Sequence, residues 1–137
     1  LVLPEEQPYQ SSHRVCGTLF LQPGVMIIVQ NRFSSFLLGK GYIAMCILPF
    51  LFVTQEIPIR EMTTALNHER IHARQQIEMG WFFFFVWYFL EYLFRLLVYR
   101  SRHKAYLNLS FEREAYFHAG NPDYCKNRAL FAWLKYI

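Results

Sequence analysis

Hydrophobic positions follow several different rhythms along this chain, and each rhythm predicts a different kind of element. Residues 1–25 show neither a helical nor a strand period. At Met26 the character changes, and MIIVQNRF opens like a strand. The run GYIAMCILPFLFVTQ, residues 41–55, is apolar and rich in β-branched and aromatic residues. Pro49 near its middle argues against one straight helix or a central strand, so the run reads as two short strands or a strand with a bend. The competing reading is a hydrophobic membrane segment from about residue 36 to 53, interrupted by Lys40. Helical spacing follows over 60–79, with Pro58 where a first-turn proline is tolerated and no breaker before Gly80.

Residues 81–100, WFFFFVWYFLEYLFRLLVYR, form a second helix that is apolar except for one stripe. Tyr88, Glu91, Tyr92, Arg95 and Tyr99 recur there at helical spacing, and Glu91 can pair with Arg95 one turn on. A third helix is predicted over about 102–119, with Ser101 as its cap and Gly120 and Pro122 as its stop. KNRALFAWLKYI reads as a short closing helix. The expected fold is mainly α, a helical bundle with a short β element before the helix of 60–79. The chain length suits one domain, placed over 26–137. Residues 1–25 lack the basic and apolar regions of a signal peptide and are expected to be a flexible tail, or an extension ahead of a natural start at Met26.

Composition shifts this picture toward a membrane. The chain is 54% hydrophobic and 19% aromatic, while its charged fraction of 18% falls below the usual quarter or so. Arg95, Arg100, Arg102, His103 and Lys104 cluster just after the longest apolar run, an arrangement suited to anionic lipid or to a solvated helix end. No aromatic-interleaved basic platform is present, so nucleic acid is not an expected partner. Cys16, Cys46 and Cys125 are far apart and form no CxxC, which predicts a reducing, cytoplasmic setting without a disulfide framework.

The candidate chemistry lies in NHERIHARQQ, residues 67–76. Residues four apart on a helix lie about 40° apart around its axis, so His68 and His72 can hold one Zn²⁺ from the same face. Glu69 beside them can take a proton from a metal-activated water. Shuffling five histidines and nine glutamates yields this HExxH pattern in about one chain in a hundred, so a third ligand is needed to carry the reading. The plainer alternative is a polar helix face on which Glu69, Arg70 and Arg74 form solvated pairs. A later stretch, FEREAYFHAG at 111–120, offers Glu112, Glu114 and His118.

With that stretch the sequence resembles the gluzincin class of zinc metallopeptidases, in which HExxH is followed by a ligand Glu on a later helix. In membrane-bound members, such as prenyl-protein endoproteases and heat-shock membrane proteases, that Glu lies in Glu-x-x-Ala-Asp. Here Glu112-Arg113-Glu114-Ala115-Tyr116 has Tyr116 in place of the Asp. Gln75 and Gln76 also resemble the HxxQQ continuation of small HExxH families. The resemblance covers about residues 67–119 and implies a zincin-like, zinc-dependent peptidase acting on a peptide or protein substrate. His68, His72 and Glu112 would be ligands and Glu69 the general base. Glu114 is the alternative ligand; it shares its face with Leu107, Phe111 and His118, whereas Glu112 lies among small residues. Tyr88, Glu91, Tyr106, Tyr116 and His118 are candidates to support the ligands or stabilise an oxyanion. Two other readings compete: a non-hydrolytic metal-binding regulatory module, and a metal-free membrane interaction protein.

Counting residues from the turns near Gly80 and Ser101 sets residue 70, residue 90 and residue 112 at one height. The motif and Glu112 then meet beside the stripe of Tyr88, Glu91 and Tyr92. If 81–100 crossed a bilayer, the charged residues of the motif helix would lie at membrane depth, which is costly. The expectation is therefore a bundle lying on or partly in a membrane through residues 81–99, with a homo-oligomer interface or a soluble cytoplasmic bundle as alternatives.

Overall fold

A computed structural model describes residues 18–20, 25–38, 44–54 and 59–137. Cys16, Pro58 and the expectations for residues 1–17 lie outside them. The elements run in the order β1 (Thr18–Phe20), β2 (Val25–Gln30), α1 (Arg32–Leu38), β3 (Ala44–Ile47), β4 (Phe50–Val53), α2 (Ile59–Met79) and α3 (Trp81–Tyr99). Then come α4 (Arg102–Leu107), α5 (Ser110–His118), α6 (Tyr124–Asn127) and a closing 3-10 helix, Ala132–Tyr136. The chain is mainly helical with one small sheet, as its patterning predicts.

The run around Pro49 is a hairpin. Ile47 pairs with Phe50, so Leu48 and Pro49 form the turn, where the proline's missing N–H costs no ladder bond. The sheet has the order β1-β2-β4-β3, antiparallel except for the parallel pair β2–β4. This is more sheet than a short β element. It also takes in part of residues 1–25: Thr18–Phe20 pairs with Val25–Ile27 as the outer strand. Strands of three residues carry too few side chains to show a period, so the pattern missed it.

β3 forms the other edge of the sheet and lies against α2. Cys46, Leu51 and Val53 bury themselves there with Ala73, backed by Ile28, Leu48 and Leu66. Gln76 reinforces the contact: its side chain accepts from the Leu48 N–H at 3.1 Å and donates to the Cys46 carbonyl at 2.9 Å. A second core of Phe84, Phe111 and Trp133 joins α3, α5 and the closing helix. Gly80, at φ 75°, turns the chain from α2 into α3 with a backbone conformation that a side chain would strain.

The single helix predicted over 102–119 is two helices, and the physical reason is Glu91. Leu109 is extended, and the first residue of α5, Ser110, gives both its N–H (3.0 Å) and its hydroxyl (2.6 Å) to the Glu91 carboxylate. A carboxylate at a helix N-terminus satisfies donors left without intrahelical partners and complements the dipole, so a helix starts there. Ser101 caps α4, as expected, by accepting from the Lys104 N–H. The tail KNRALFAWLKYI is not one helix either. It divides between the end of α6 and the 3-10 turn, with Phe131 left-handed at the start of the latter.

Candidate metal centre

α2 presents His68, Glu69 and His72, and α5 presents Glu112 opposite them. The reading of a solvated polar face does not hold for these residues: Glu69, His72 and Glu112 are 6%, 7% and 3% exposed. The His68 and His72 Nε2 atoms face each other at 3.0 Å. Each also lies 3.3 Å from an oxygen of Glu112, His68 from Oε2 and His72 from Oε1. Two ligand atoms held tetrahedrally at 2.0–2.1 Å from zinc are about 3.3–3.4 Å apart. The two histidine–Glu112 contacts are of that size, each to a different carboxylate oxygen, and the His–His contact is shorter. Taken as one ligand atom per residue, the three lie within 4.8 Å of one another, a donor set of two imidazoles and a carboxylate that could hold a metal ion.

Surrounding groups fix the orientation of each member. His72 Nδ1 lies 2.8 Å from Gln75 Oε1, while the Gln75 amide nitrogen donates to the Phe111 carbonyl and to Glu114 Oε2. Because the amide nitrogen is committed to two acceptors, its oxygen faces the ring, and Nδ1 must carry the proton. That tautomer leaves the Nε2 lone pair aimed at the cluster, as ligation demands. Tyr88 and Tyr106 donate to the two oxygens of Glu112 at 2.9 and 2.8 Å. Tyr116 packs edge-on against His68, with ring centroids 4.6 Å apart, but is half exposed.

Glu114 has other partners. It is fully buried and is held by Arg128, Tyr124 and Gln75. Glu112 therefore faces the two histidines, while the 200° between the two residues turns Glu114 to the far side of α5. Glu91 and His118, expected near the site, stand elsewhere. Glu91 caps α5 and pairs with Arg95, and His118 stacks on Tyr124 and meets the Tyr136 hydroxyl at 2.9 Å.

The electrostatics follow from burial and proximity. Burial raises the pKa of the Glu69 carboxyl above its ordinary range, opposed by the two histidines and by the Cys46 N–H that donates to it. Burial by itself would depress His72, but the Glu112 carboxylate outweighs it and the imidazole rises to about 9. Glu112 is also disfavoured as an anion by burial, yet His72 and His68 hold it well below the usual carboxylate range. The metal-free cluster is thus a tight set of opposite charges with Glu69 beside it.

A cavity of about 280 Å³ opens onto this cluster, lined by β3 residues Ala44, Met45 and Cys46 and by Phe84, Phe85 and Tyr88 of α3. Three contributors were not placed at the site from the sequence: Gln75, Gln76 and the β3 edge. The two glutamines carry a local signal, since Gln75 lies three residues after His72 on a neighbouring face of the helix. β3 has none, because only the fold brings it there. No family model, curated protein or solved structure matches this chain.

Proposed function

We propose that the protein is a zinc-dependent peptidase of the gluzincin kind, with His68, His72 and Glu112 as the metal ligands. The observation that carries this reading is the convergence of the three donors from two helices, at separations of 3.0 and 3.3 Å, beside a buried Glu69. Bound zinc would supply a polarised water and a positive charge for the carbonyl oxygen of a scissile amide. Glu69 receives the proton of the attacking water and passes it to the leaving nitrogen. Glu69 is 6% exposed, and burial away from water disfavours its charged form, which favours taking up that proton. Gln75 holds His72 in the ligating tautomer, while Tyr88 and Tyr106 hold the Glu112 carboxylate and keep its charge directed inward.

The substrate class is a peptide or protein segment, entering the cavity between β3 and α3. Two features bear on the setting. α3 is long and apolar enough to cross a membrane, which supports membrane association. The other is the wide spacing of Cys16, Cys46 and Cys125 without a CxxC, which favours a reducing compartment on the side of the site.

Metal analysis together with a chelator-sensitive peptide cleavage assay tests the proposal. One zinc per chain with cleavage that a chelator stops and zinc restores is the expected result. Zinc without cleavage of any peptide in a broad mixture would favour the non-hydrolytic metal module. No zinc bound to wild-type protein would leave the membrane interaction protein.

A further inference from the structure

The outer face of α3 is chemically uniform. Phe82, Phe83, Phe89, Leu90, Phe94 and Leu97 are 57–78% exposed, and the remaining positions on that half of the helix are also apolar. The polar stripe of Tyr88, Glu91, Tyr92 and Arg95 is turned the other way, toward α4, α5 and the metal centre. From Phe82 to Val98 this half-cylinder is about 25 Å long. Trp87 packs on Trp133 at 5.7 Å, and the segment beyond adds exposed Leu130, Phe131 and Leu134. Such a face is larger than the apolar patches that monomers ordinarily leave in water.

Charge decides what covers it. Arg100, Arg102, His103 and Lys104 are all exposed at the C-terminal end of the face. Among the described side chains, a second copy of this chain has little to offer them. Among the described residues, Glu69, Glu78, Glu91, Glu112 and Glu114 are buried or half-buried, and the exposed Asp123 is paired with Lys126 at 2.6 Å. Anionic headgroups supply both the missing negative charge and an apolar layer beneath it.

The orientation follows from Arg113. It is exposed and adjoins Glu112, which is bonded to Tyr88 near the middle of α3. A membrane-spanning α3 would bring that arginine to the centre of the bilayer, at a cost of several kcal/mol. A helix lying in the interface avoids this and puts the whole apolar half in contact with lipid.

We propose that the protein docks on an anionic phospholipid bilayer, with α3 lying in the plane of the interface and the Arg100–Lys104 cluster on the headgroups. Docking sets the metal-centre cavity beside the lipid surface, since Phe84, Phe85 and Tyr88 line it from the inner side of the same helix. The inference stands on α3 and its flanks and is independent of the chemistry proposed for the site.

Flotation of the full chain with vesicles tests it, using phosphatidylcholine alone or mixed with phosphatidylglycerol. The expected result is strong recovery with the anionic vesicles, falling as salt rises. Replacing Arg100, Arg102 and Lys104 together with glutamine should weaken that binding on the order of a hundredfold. Leu90→Asp with Leu97→Asp should abolish it while the circular dichroism spectrum is retained. Single-tryptophan variants keeping Trp81 or Trp87 should both report shallow depths against brominated lipids. Equal binding to neutral and anionic vesicles would overturn the proposal, and so would a Trp87 at the bilayer centre. A wild-type chain that ignores vesicles and runs as a dimer dissolved by Leu90→Asp would assign the face to a second copy instead.

Discussion

Gln75 turns its amide oxygen to His72 Nδ1 at 2.8 Å and its nitrogen to Glu114 at 3.0 Å, so a residue outside the cluster of His68, His72 and Glu112 fixes the imidazole within it. Gln75→Met keeps the volume and removes both bonds along with the one to the Phe111 carbonyl. Partners of this kind typically contribute roughly 10–100-fold to metal affinity. We expect zinc affinity to fall within that range, with one zinc per chain still bound at saturation. Unchanged affinity in Gln75→Met would show that the tautomer is set by some other group.

Glu112 and Glu114 give opposite outcomes. Glu112→Ala removes a donor from the cluster and should lower zinc affinity by well over the roughly hundredfold limit of a supporting residue. Glu114→Gln leaves all three donors in place, so its effect on zinc should be the smaller one. Competition with a chromogenic chelator measures both. Zinc loss confined to the Glu114 variant would contradict the assignment.

The buried carboxylate of Glu114 has a structural task. Arg128 inserts between Glu114 and Glu78, and all three side chains are at most 8% exposed, tying the C-terminal segment to α2 and α5. Removing the cation strands two carboxylates away from water, a change that typically costs about 3–5 kcal/mol. Arg128→Met should lower the urea midpoint correspondingly, whereas Lys126→Met, in an exposed pair, should hardly move it. Equal midpoints for the two variants would show that the triad does not hold the segment.

This triad shows where the sequence is legible and where it is not. The HExxH spacing and the phase of Glu112 lie on single helices, where a periodicity of 3.6 fixes which side chains share a face. Tyr88 was found beside the site because helix lengths and turn positions set its height. Glu91 looked equally close by that count. Its partner, Ser110, exists as a helix start only because the 102–119 stretch breaks, and the break depends on the tertiary contact itself. Arg128 pairs with residues 14 and 50 positions away, and β3 reaches the cavity through sheet pairing. Such long-range pairings leave no period in the chain.

Removing the metal should expose a pH dependence. In the metal-free chain the His72 pKa is raised to about 9 by Glu112, so the folded state binds a proton more tightly than the unfolded one. The resulting stability is fully present below about pH 6.5, the unfolded value, and is lost as pH rises through about 9. Glu69, raised by burial, acts in the same direction. Glu112, held low, contributes above its unfolded value and stays constant across this window. Melting temperature should therefore fall between pH 6.5 and 9 for metal-free protein, and the fall should shrink in His72→Gln. Zinc displaces that proton, so the loaded protein should lose the trend. A metal-free wild type with a flat profile would count against the charged cluster.

The most direct test of the account is the rate of peptide hydrolysis by zinc-loaded Glu69→Gln beside zinc-loaded wild type. The substitution removes the proton acceptor and leaves His68, His72 and Glu112 in place. General acid–base groups typically contribute about 10²–10⁴-fold. We predict a loss of that size with one zinc per chain retained in both proteins. Hydrolysis by Glu69→Gln at the wild-type rate would contradict the account.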